Sequence, residues 1–515
     1  MPAPIGRWES RRPPWGHPTA ALRSGRGRAR LDSLRQRDQP ATEDLSVAKS
    51  QQTLRRPLLR DRVITAIARM LSWAFFRTVE TEGPEPPSGP VILAASHLYG
   101  FVDPVVLVAE LGHLPRYLAK ATLWKTAAAR PLLNFARVIP VHRQADGSTE
   151  SNTAMFADAV GALRGGSMVA VFPEGTTHDD PSIRPLRTGV ARIALQAAGD
   201  GVQGVRIVPV GVTYEDKVAV RGRALVSFGK PIEVESDAAL LGADGAPDHA
   251  RVQELTARLQ ADIESLTPHF DTTEESLALS AAATVSLRDD AGENLVVPLA
   301  AVSGRARRLA QAPASRRAEL VALVARYRML LGFVAVDDED VVHGVTLAAL
   351  ARRIAVLAAV VVVLSPLALA GLFANLIPAL LVLAAGLVPR APVSKGTVRV
   401  LVAALTFPAM WLYLAFRDAG SGWGPDLVRS VTAPVEALVG PDPADRAGAL
   451  ANVVVLVAGP VFGVIALVIV ERARALVASI VRWRTLLDRR GQMDEVRERR
   501  REVVALTREL LEGPR

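Results

Sequence analysis

A long apolar run over residues 354–388 constrains the fold of this chain more than any other feature. Pro366, Asn375 and Pro378 interrupt the run, and two arginines precede it. One membrane-spanning helix needs about 20 apolar residues, so the run is too long for one span and just short of two. The sequence therefore predicts a helical hairpin within a membrane.

Two further segments, Val398–Phe416 and Ala449–Val470, are each long enough to span a membrane. Cationic residues lie on the flanks of the apolar segments, whereas loop 417–448 holds 3 Arg against 5 acidic residues. By the positive-inside rule, the loop lies outside, and the part of the chain before the spans faces the cytoplasm. Residues 471–515 then form a charged cytoplasmic helix, either solvated or in a short coiled coil.

Charge and composition exclude several kinds of site. The chain has no cysteine, which excludes disulfides, thiolate metal sites and a cysteine nucleophile. Its formal charge of +9 comes mainly from residues 1–60, which hold 12 Arg and 1 Lys against 5 acidic residues. This segment is rich in Arg, Pro, Ser and Gly, which is typical of a disordered tail. A basic surface on a folded domain, as a nucleic-acid binder needs, is therefore not indicated.

The pattern of residues 79–235 predicts an α/β domain. Short apolar runs that are typical of buried strands recur at Val91–Ala94, Val138–Val141, Met168–Phe172, Ile207–Val212 and Ala224–Phe228. Helical patterns lie between them, at Ser151–Leu163 and Thr188–Ala198. This alternation favours a mostly parallel sheet with helices on its faces. No glycine-rich nucleotide-binding motif follows these strands.

Two other segments flank this domain. Residues 61–78 form an apolar stretch with arginines, which fits either an interfacial helix on a membrane or a helix packed on the next domain. Residues 236–350 are more polar and indicate a mainly helical linker or subdomain, to which the sequence assigns no chemistry.

His97 and Asp103 are the first candidates for chemistry. They lie just past the apolar run Val91–Ala94, at the edge where α/β sheets place ligands. A neutral imidazole can take the proton of an attacking hydroxyl, and a carboxylate on its other ring nitrogen fixes the tautomer. If the turn between them brings the two together, no serine or cysteine nucleophile is required. Alone, this spacing also fits a structural histidine.

A second string, Phe172-Pro173-Glu174-Gly175, ends the predicted strand Met168–Phe172. Gly175 allows close approach of the backbone to a ligand, and Glu174 can accept from substrate hydroxyls or organise a cationic phosphate site. An ordinary turn at a strand end is the alternative. Four cations are candidates for binding phosphate, the stronger two first: Arg143, Lys120, Arg187 and Arg192.

These ordered blocks resemble the PlsC-type glycerolipid acyltransferases. The His97–Asp103 pair resembles the family's histidine–aspartate signature with one extra residue. Ile139–Arg143 resembles the second block, Phe172–Gly175 matches the third, and Val208–Val210 resembles the fourth. The resemblance covers about residues 79–235.

Departures from the family pattern indicate a branch. The longer turn before Asp103 and the residues Thr177–Pro181 resemble the glycerol-3-phosphate/dihydroxyacetone-phosphate acyltransferases, known from fungi and with bacterial relatives. That branch also carries a long membrane-bound C-terminal region. Arg137 stands where a glycine is usual, and Thr177 where many members carry arginine.

By this resemblance, His97 is the general base and Asp103 its partner. The substrate-binding residues that it implies are Arg143, Glu174, Gly175, Thr176 and Lys120. It also implies acyl-CoA or acyl carrier protein as co-substrate, a phosphorylated glycerol acceptor, a membrane lipid surface, and neither cofactor nor metal. The choice among glycerol 3-phosphate, dihydroxyacetone phosphate and lysophosphatidic acid stays open. A catalytically degenerate lipid-binding domain on a membrane scaffold is the alternative.

Overall fold

The structure is a computed structural model of the chain. It describes residues 59–125, 129–142, 152–217, 219, 221–291, 297–343, 347–389, 392–416, 443–488 and 490–512. The predicted tail at residues 1–60 lies almost wholly outside these residues, as does most of loop 417–448.

Eight strands form one sheet in the described part of the chain. They are β1 (Phe76–Glu82), β2 (Val91–Ala95), β3 (Arg116–Lys120), β4 (Ile139–Val141), β5 (Val169–Val171), β6 (Val205–Tyr214), β7 (Gly222–Phe228) and β8 (Ile232–Val234). The order is β1-β7-β6-β2-β5-β3-β4, and β8 pairs with β6. Strand β6 runs antiparallel to β7 and β8, and all other pairs are parallel. The predicted fold class, a mostly parallel sheet with helices, is confirmed.

Fourteen helices are described with this sheet. They are α1 (Leu59–Phe75), α2 (Val102–Leu111), α3 (Ala129–Phe135), α4 (Thr153–Arg164), α5 (Gly189–Gly199), α6 (His249–Leu266), α7 (Thr273–Ala291), α8 (Leu299–Ala310), α9 (Ala314–Val334), α10 (Asp338–His343), α11 (Leu347–Ala385), α12 (Pro392–Phe416), α13 (Pro443–Asp488) and α14 (Met493–Glu512).

Both faces of the sheet are covered. Along β2, Ile92 and Ala94 lie in a core shared with α4, α5 and α6, whereas Leu93 and Ala95 lie in a core shared with α1 and α2. Successive side chains of a strand point to opposite faces, so a strand that is buried on both faces is a continuous apolar run. The central strands can therefore be predicted from their continuous apolar runs in the sequence.

Among the residues that the structure describes, two helices are long and apolar enough to cross a membrane, at Ala351–Ala385 in α11 and Lys395–Phe416 in α12. Where the sequence analysis predicts a hairpin over residues 354–388, the structure has the single helix α11 with Pro366 and Pro378 inside it. Apolar helices tolerate proline where neighbouring groups satisfy the freed backbone. The third predicted span, Ala449–Val470, lies within α13.

Asn375 joins the three long helices. Its amide nitrogen donates to the carbonyls of Gly371 in α11 and Gly459 in α13, at 2.8 and 3.1 Å. Its amide oxygen accepts from the indole nitrogen of Trp411 in α12 at 2.8 Å. In an apolar environment such a polar side chain needs partners, and here it finds them on both neighbouring helices.

Helices α7 to α10 form a bundle with α14. The charged segment that the sequence analysis treats as one helix over residues 471–515 is divided between α13 and α14, and α14 packs into the bundle core. At the centre, Asp338 accepts from Arg500 Nε at 2.9 Å and from the phenol of Tyr327 at 2.6 Å. The carboxylate of Glu80 in β1 accepts from the backbone nitrogens of Leu299 and Ala300, which fixes the bundle to the edge of the sheet.

Candidate active site

The turn between β2 and α2 closes His97 onto Asp103. His97 lies two residues past the end of β2, and Asp103 lies in the first turn of α2. The Nδ1 atom of His97 is 2.9 Å from Oδ2 of Asp103. Gly100 adopts a φ of 60° within the turn, and the Asp103 backbone nitrogen donates to its carbonyl at 3.3 Å. The extra residue between the two side chains is thus accommodated without separating them.

Asp103 is fully buried and accepts three hydrogen bonds. Besides His97, the backbone nitrogen of Tyr99 donates to Oδ2 at 2.9 Å, and the phenol of Tyr214 donates to Oδ1 at 2.6 Å. A buried carboxylate is costly unless such donors satisfy it. Sequence reasoning missed Tyr214, because it lies at the end of β6, 111 positions from Asp103.

The surroundings of the His97 imidazole hold the ring and leave one of its nitrogens unbonded among the described residues. The ring stacks on Phe172 with centroids 4.0 Å apart and an interplanar angle of 18°. Since Asp103 accepts from Nδ1–H, the lone pair lies on Nε2. Among the residues that the structure describes, no group bonds to Nε2, and 17% of the side-chain surface is exposed. The ring can therefore take a proton from a bound molecule.

Glu174 connects the two motifs. Its Oε1 accepts from the backbone nitrogen of His97 at 2.6 Å. Its Oε2 accepts from the backbone nitrogen of Arg184 at 3.1 Å and from Nε2 of His178. The carboxylate is buried, and both oxygens already have protein partners. In this arrangement Glu174 holds the residue that carries the imidazole.

Gly175 and Thr176 follow Glu174 on the turn after β5. Gly175 has a φ of 70°, and a Cβ at this position would lie 2.5 Å from Nε of Arg187. The positive φ disfavours other residues at this position, since L side chains rarely adopt this conformation, and a side chain there would also have to displace Arg187. Thr176 is exposed, and its hydroxyl donates to the carbonyl of Thr177 at 3.4 Å.

The structure describes only some of the cations that the sequence predicts to bind phosphate. Lys120 is the last residue of β3 and half-buried. Because β2, β5 and β3 are parallel neighbours, Lys120 lies at the same edge of the sheet as His97 and Glu174. Arg143 falls outside the described residues. No group of three His, Asp or Glu side chains that could hold a metal is found in the described part of the chain.

Burial shapes the ionisation of groups around Asp103. It raises the pKa of Tyr99 to about 12, and the pKa of Tyr214 well above its ordinary value, with the negative charge of Asp103 adding to both shifts. Burial lowers the pKa of Lys217, against the opposing effect of nearby carboxylates. The Lys217 backbone carbonyl accepts from the Tyr99 phenol, which brings this further cation next to the site.

Comparison with known proteins decides the family of this domain. The family model described as Acyltransferase matches residues 76–213, which include His97, Asp103 and Glu174. This part of the chain is an acyltransferase-family domain. The acyltransferase domain runs from β1 through all but the last residue of β6 and carries the described residues that the sequence predicts for the site: His97, Asp103, Lys120, Glu174, Gly175 and Thr176.

Curated relatives match a limited part of the chain. Glycerol-3-phosphate O-acyltransferase 2 of Saccharomyces cerevisiae is 34% identical over 125 residues, which is 24% of this chain and 17% of the yeast protein. Glycerol-3-phosphate O-acyltransferase 1 of the same yeast is 33% identical over 100 residues, 19% of this chain and 13% of that protein. The matched region therefore spans less than a fifth of either relative.

A solved structure is also similar to this chain. It is the crystal structure of the 1-acyl-sn-glycerophosphate acyltransferase PlsC from Thermotoga maritima, at 18% identity and a TM-score of 0.30. The similarity covers 43% of this chain and 87% of that one.

Proposed function

We propose that this chain is a membrane-bound O-acyltransferase of phospholipid synthesis. It transfers a fatty acyl group from acyl-CoA or acyl carrier protein to glycerol 3-phosphate or its 1-acyl derivative. The observation that carries the proposal is the contact of 2.9 Å between His97 and Asp103, within an acyltransferase domain and with Nε2 of His97 unbonded among the described residues. The similarity to two yeast glycerol-3-phosphate O-acyltransferases supports the choice of acceptor class.

The proposed reaction needs one base and no covalent enzyme intermediate. His97 Nε2 takes the proton of the acceptor hydroxyl as its oxygen bonds to the thioester carbonyl carbon. Asp103 stabilises the imidazolium that forms. The tetrahedral intermediate then collapses, the carbon–sulfur bond breaks, and the imidazolium returns the proton to the departing sulfur.

The remaining predicted residues act on the acceptor and on the geometry. Lys120 and Arg143 are proposed to bind the acceptor phosphate, together with Gly175 and Thr176 on the turn after β5. Glu174 fixes the backbone of His97. The apolar helices α11 and α12 support a location at a membrane. The cytoplasmic side is proposed from the positive-inside pattern of the sequence.

The test is acyl transfer by the purified full-length protein in lipid vesicles, with labelled acyl-CoA and acyl carrier protein each offered with both acceptors. His97→Ala should lower the rate by roughly 10²- to 10⁴-fold, the usual contribution of a general base. His113→Ala is the matched control, because that histidine is exposed and, among the described residues, its ring forms a hydrogen bond with the carbonyl of Leu111 alone. Full activity of His97→Ala would contradict the mechanism and favour a lipid-binding domain without catalysis.

A further inference from the structure

The first turns of helix α12 lie directly on the loop that carries the His97–Asp103 pair. The backbone nitrogen of Phe101, within that loop, donates to the hydroxyl oxygen of Thr397 at 3.1 Å. At Gly396 a Cβ atom would overlap the ring of Tyr99. The helix backbone therefore approaches the loop as closely as a glycine permits.

The contact continues into the core of the acyltransferase domain. Val400, one turn further along α12, is 1% exposed and lies in the same hydrophobic cluster as Tyr99 and Val102. By contrast, Leu405 is 63% exposed on the remainder of the helix. One end of this apolar helix is thus part of the folded domain, while its continuation presents apolar side chains outward.

A short path leads from this contact to the reacting groups. The residue that Gly396 touches, Tyr99, donates its backbone nitrogen to Oδ2 of Asp103, the oxygen that also binds His97. The Tyr99 ring packs edge-on against Tyr214, with centroids 5.0 Å apart. The positive charge of Arg399 on α12 also lowers the pKa of Tyr99 against the larger effect of burial.

We propose that Thr397 and Gly396 are positioning residues of the acyltransferase site, and that the loop aligns His97 with Asp103 only while α12 is docked on it. The inference rests on the proposed function. It assigns to the C-terminal apolar region a part in catalysis besides anchorage. The site is then complete only when both regions of the chain are folded together.

The test compares Thr397→Val, which removes the acceptor at nearly constant shape, with Thr397→Ser, which keeps it. The full-length proteins are assayed in phosphatidylethanolamine–phosphatidylglycerol vesicles. Thr397→Val should lower kcat about tenfold and leave KM for the acceptor within about twofold, because a small displacement of a general base weakens catalysis steeply. Thr397→Ser should retain kcat. Thr406→Val is the matched control, since within the described part of the chain the Thr406 hydroxyl donates to the Val402 carbonyl of its own helix, at 2.7 Å, and to no other group.

Gly396→Ala gives an independent measurement, because its methyl group would displace the Tyr99 ring. It should also lower kcat about tenfold, whereas Gly332→Ala, at a helical glycine with open space around it, should not. Wild-type kcat in both Thr397→Val and Gly396→Ala, with His97→Ala inactive, would overturn the inference alone. Equal losses in the Val and Ser variants would also overturn it. Full activity of His97→Ala would instead overturn the proposed function.

Discussion

The phenol of Tyr214 donates to Oδ1 of Asp103 at 2.6 Å, on the oxygen that His97 does not use. Asp103 thereby keeps a fixed orientation, with one oxygen committed to β6 and the other to the imidazole. The His97–Asp103 pair is therefore joined by a third residue, Tyr214, which lies on strand β6 outside both motifs.

Tyr214→Phe should lower kcat about tenfold and leave KM nearly unchanged, because it removes a hydrogen bond to a buried carboxylate and keeps the ring. Steady-state kinetics measure both constants. Tyr117→Phe is the control, since that buried phenol donates to the Pro104 carbonyl at 3.3 Å rather than to the Asp103 carboxylate. Equal kcat in wild type and Tyr214→Phe would show that Asp103 needs no third donor.

Glu174→Gln should impair both stability and activity. In the wild-type protein both carboxylate oxygens of Glu174 accept hydrogen bonds. In glutamine an NH₂ group replaces one of these oxygens, so a donor faces another donor. The free energy of unfolding should fall by roughly 1–3 kcal/mol, the usual cost of an unsatisfied buried donor, and kcat should fall with it. Thermal melting and the acyl-transfer assay check these effects. The exposed Glu233 provides the control Glu233→Gln, and a stable, active Glu174→Gln would exclude the positioning role.

Gly175→Ala and Gly166→Ala form a matched pair. Both glycines have positive φ, 70° and 69°, but a Cβ at Gly166 meets open space, whereas at Gly175 it meets Arg187. Gly166→Ala should cost only the backbone strain, about 1–2 kcal/mol. Gly175→Ala should cost more and lower activity as well. Chemical denaturation measures the difference, and equal losses in the two variants would mean that Arg187 moves aside freely.

Buried phenols predict a loss of stability at alkaline pH. The structure raises the pKa of Tyr99, Tyr117, Tyr214 and Tyr327, mainly through burial. An unfolded tyrosine ionises near pH 10. Above about pH 10 the unfolded chain releases phenolic protons that the folded chain keeps, so the free energy of unfolding falls as pH rises toward 12 and beyond.

The measurement is tyrosinate absorbance, followed together with enzymatic activity. We expect these four phenols to ionise together with the loss of activity, as one cooperative transition above pH 10. In Tyr327→Phe, the absorbance change of this transition should be smaller by the contribution of one phenol. Gradual ionisation of all four near pH 10 in a protein that keeps its activity would contradict the prediction.

The sequence predicts those parts of the fold where one physical signal dominates. Strands β2, β5, β6 and β7 are apolar runs because each is largely buried, and such runs predict the strands from the sequence alone. Strand β1 was missed because Phe76 continues an apolar helical pattern, and β3 because it begins and ends with a cation. The α11 helix was predicted as a hairpin because its apolar run is too long for one span and is interrupted by two prolines and Asn375.

Whether a contact in the candidate site could be predicted depends on how far apart its two residues lie in the sequence. His97 and Asp103 belong to one turn, so their spacing could suggest the contact. Tyr214 and Thr397 lie 111 and 296 positions from their partners, and only the packed fold brings them there. Glu174 was identified as a site residue, but its bond to the backbone of His97 depends on the parallel pairing of β2 and β5.

The pairing of Asp338 with Arg500 indicates when the helical bundle can be completed during synthesis of the chain. These residues are 162 positions apart, and the three long helices that Asn375 joins are translated between them. Contacts of such sequence separation form late, because the intervening chain must first be arranged. Until α14 is translated, Asp338 has Arg288 and Tyr327 as partners but lacks Arg500, and the apolar bundle positions that α14 covers stay open. A ribosome that stalls before α14 leaves these apolar positions exposed, which makes the unfinished protein prone to aggregation and a substrate for chaperones.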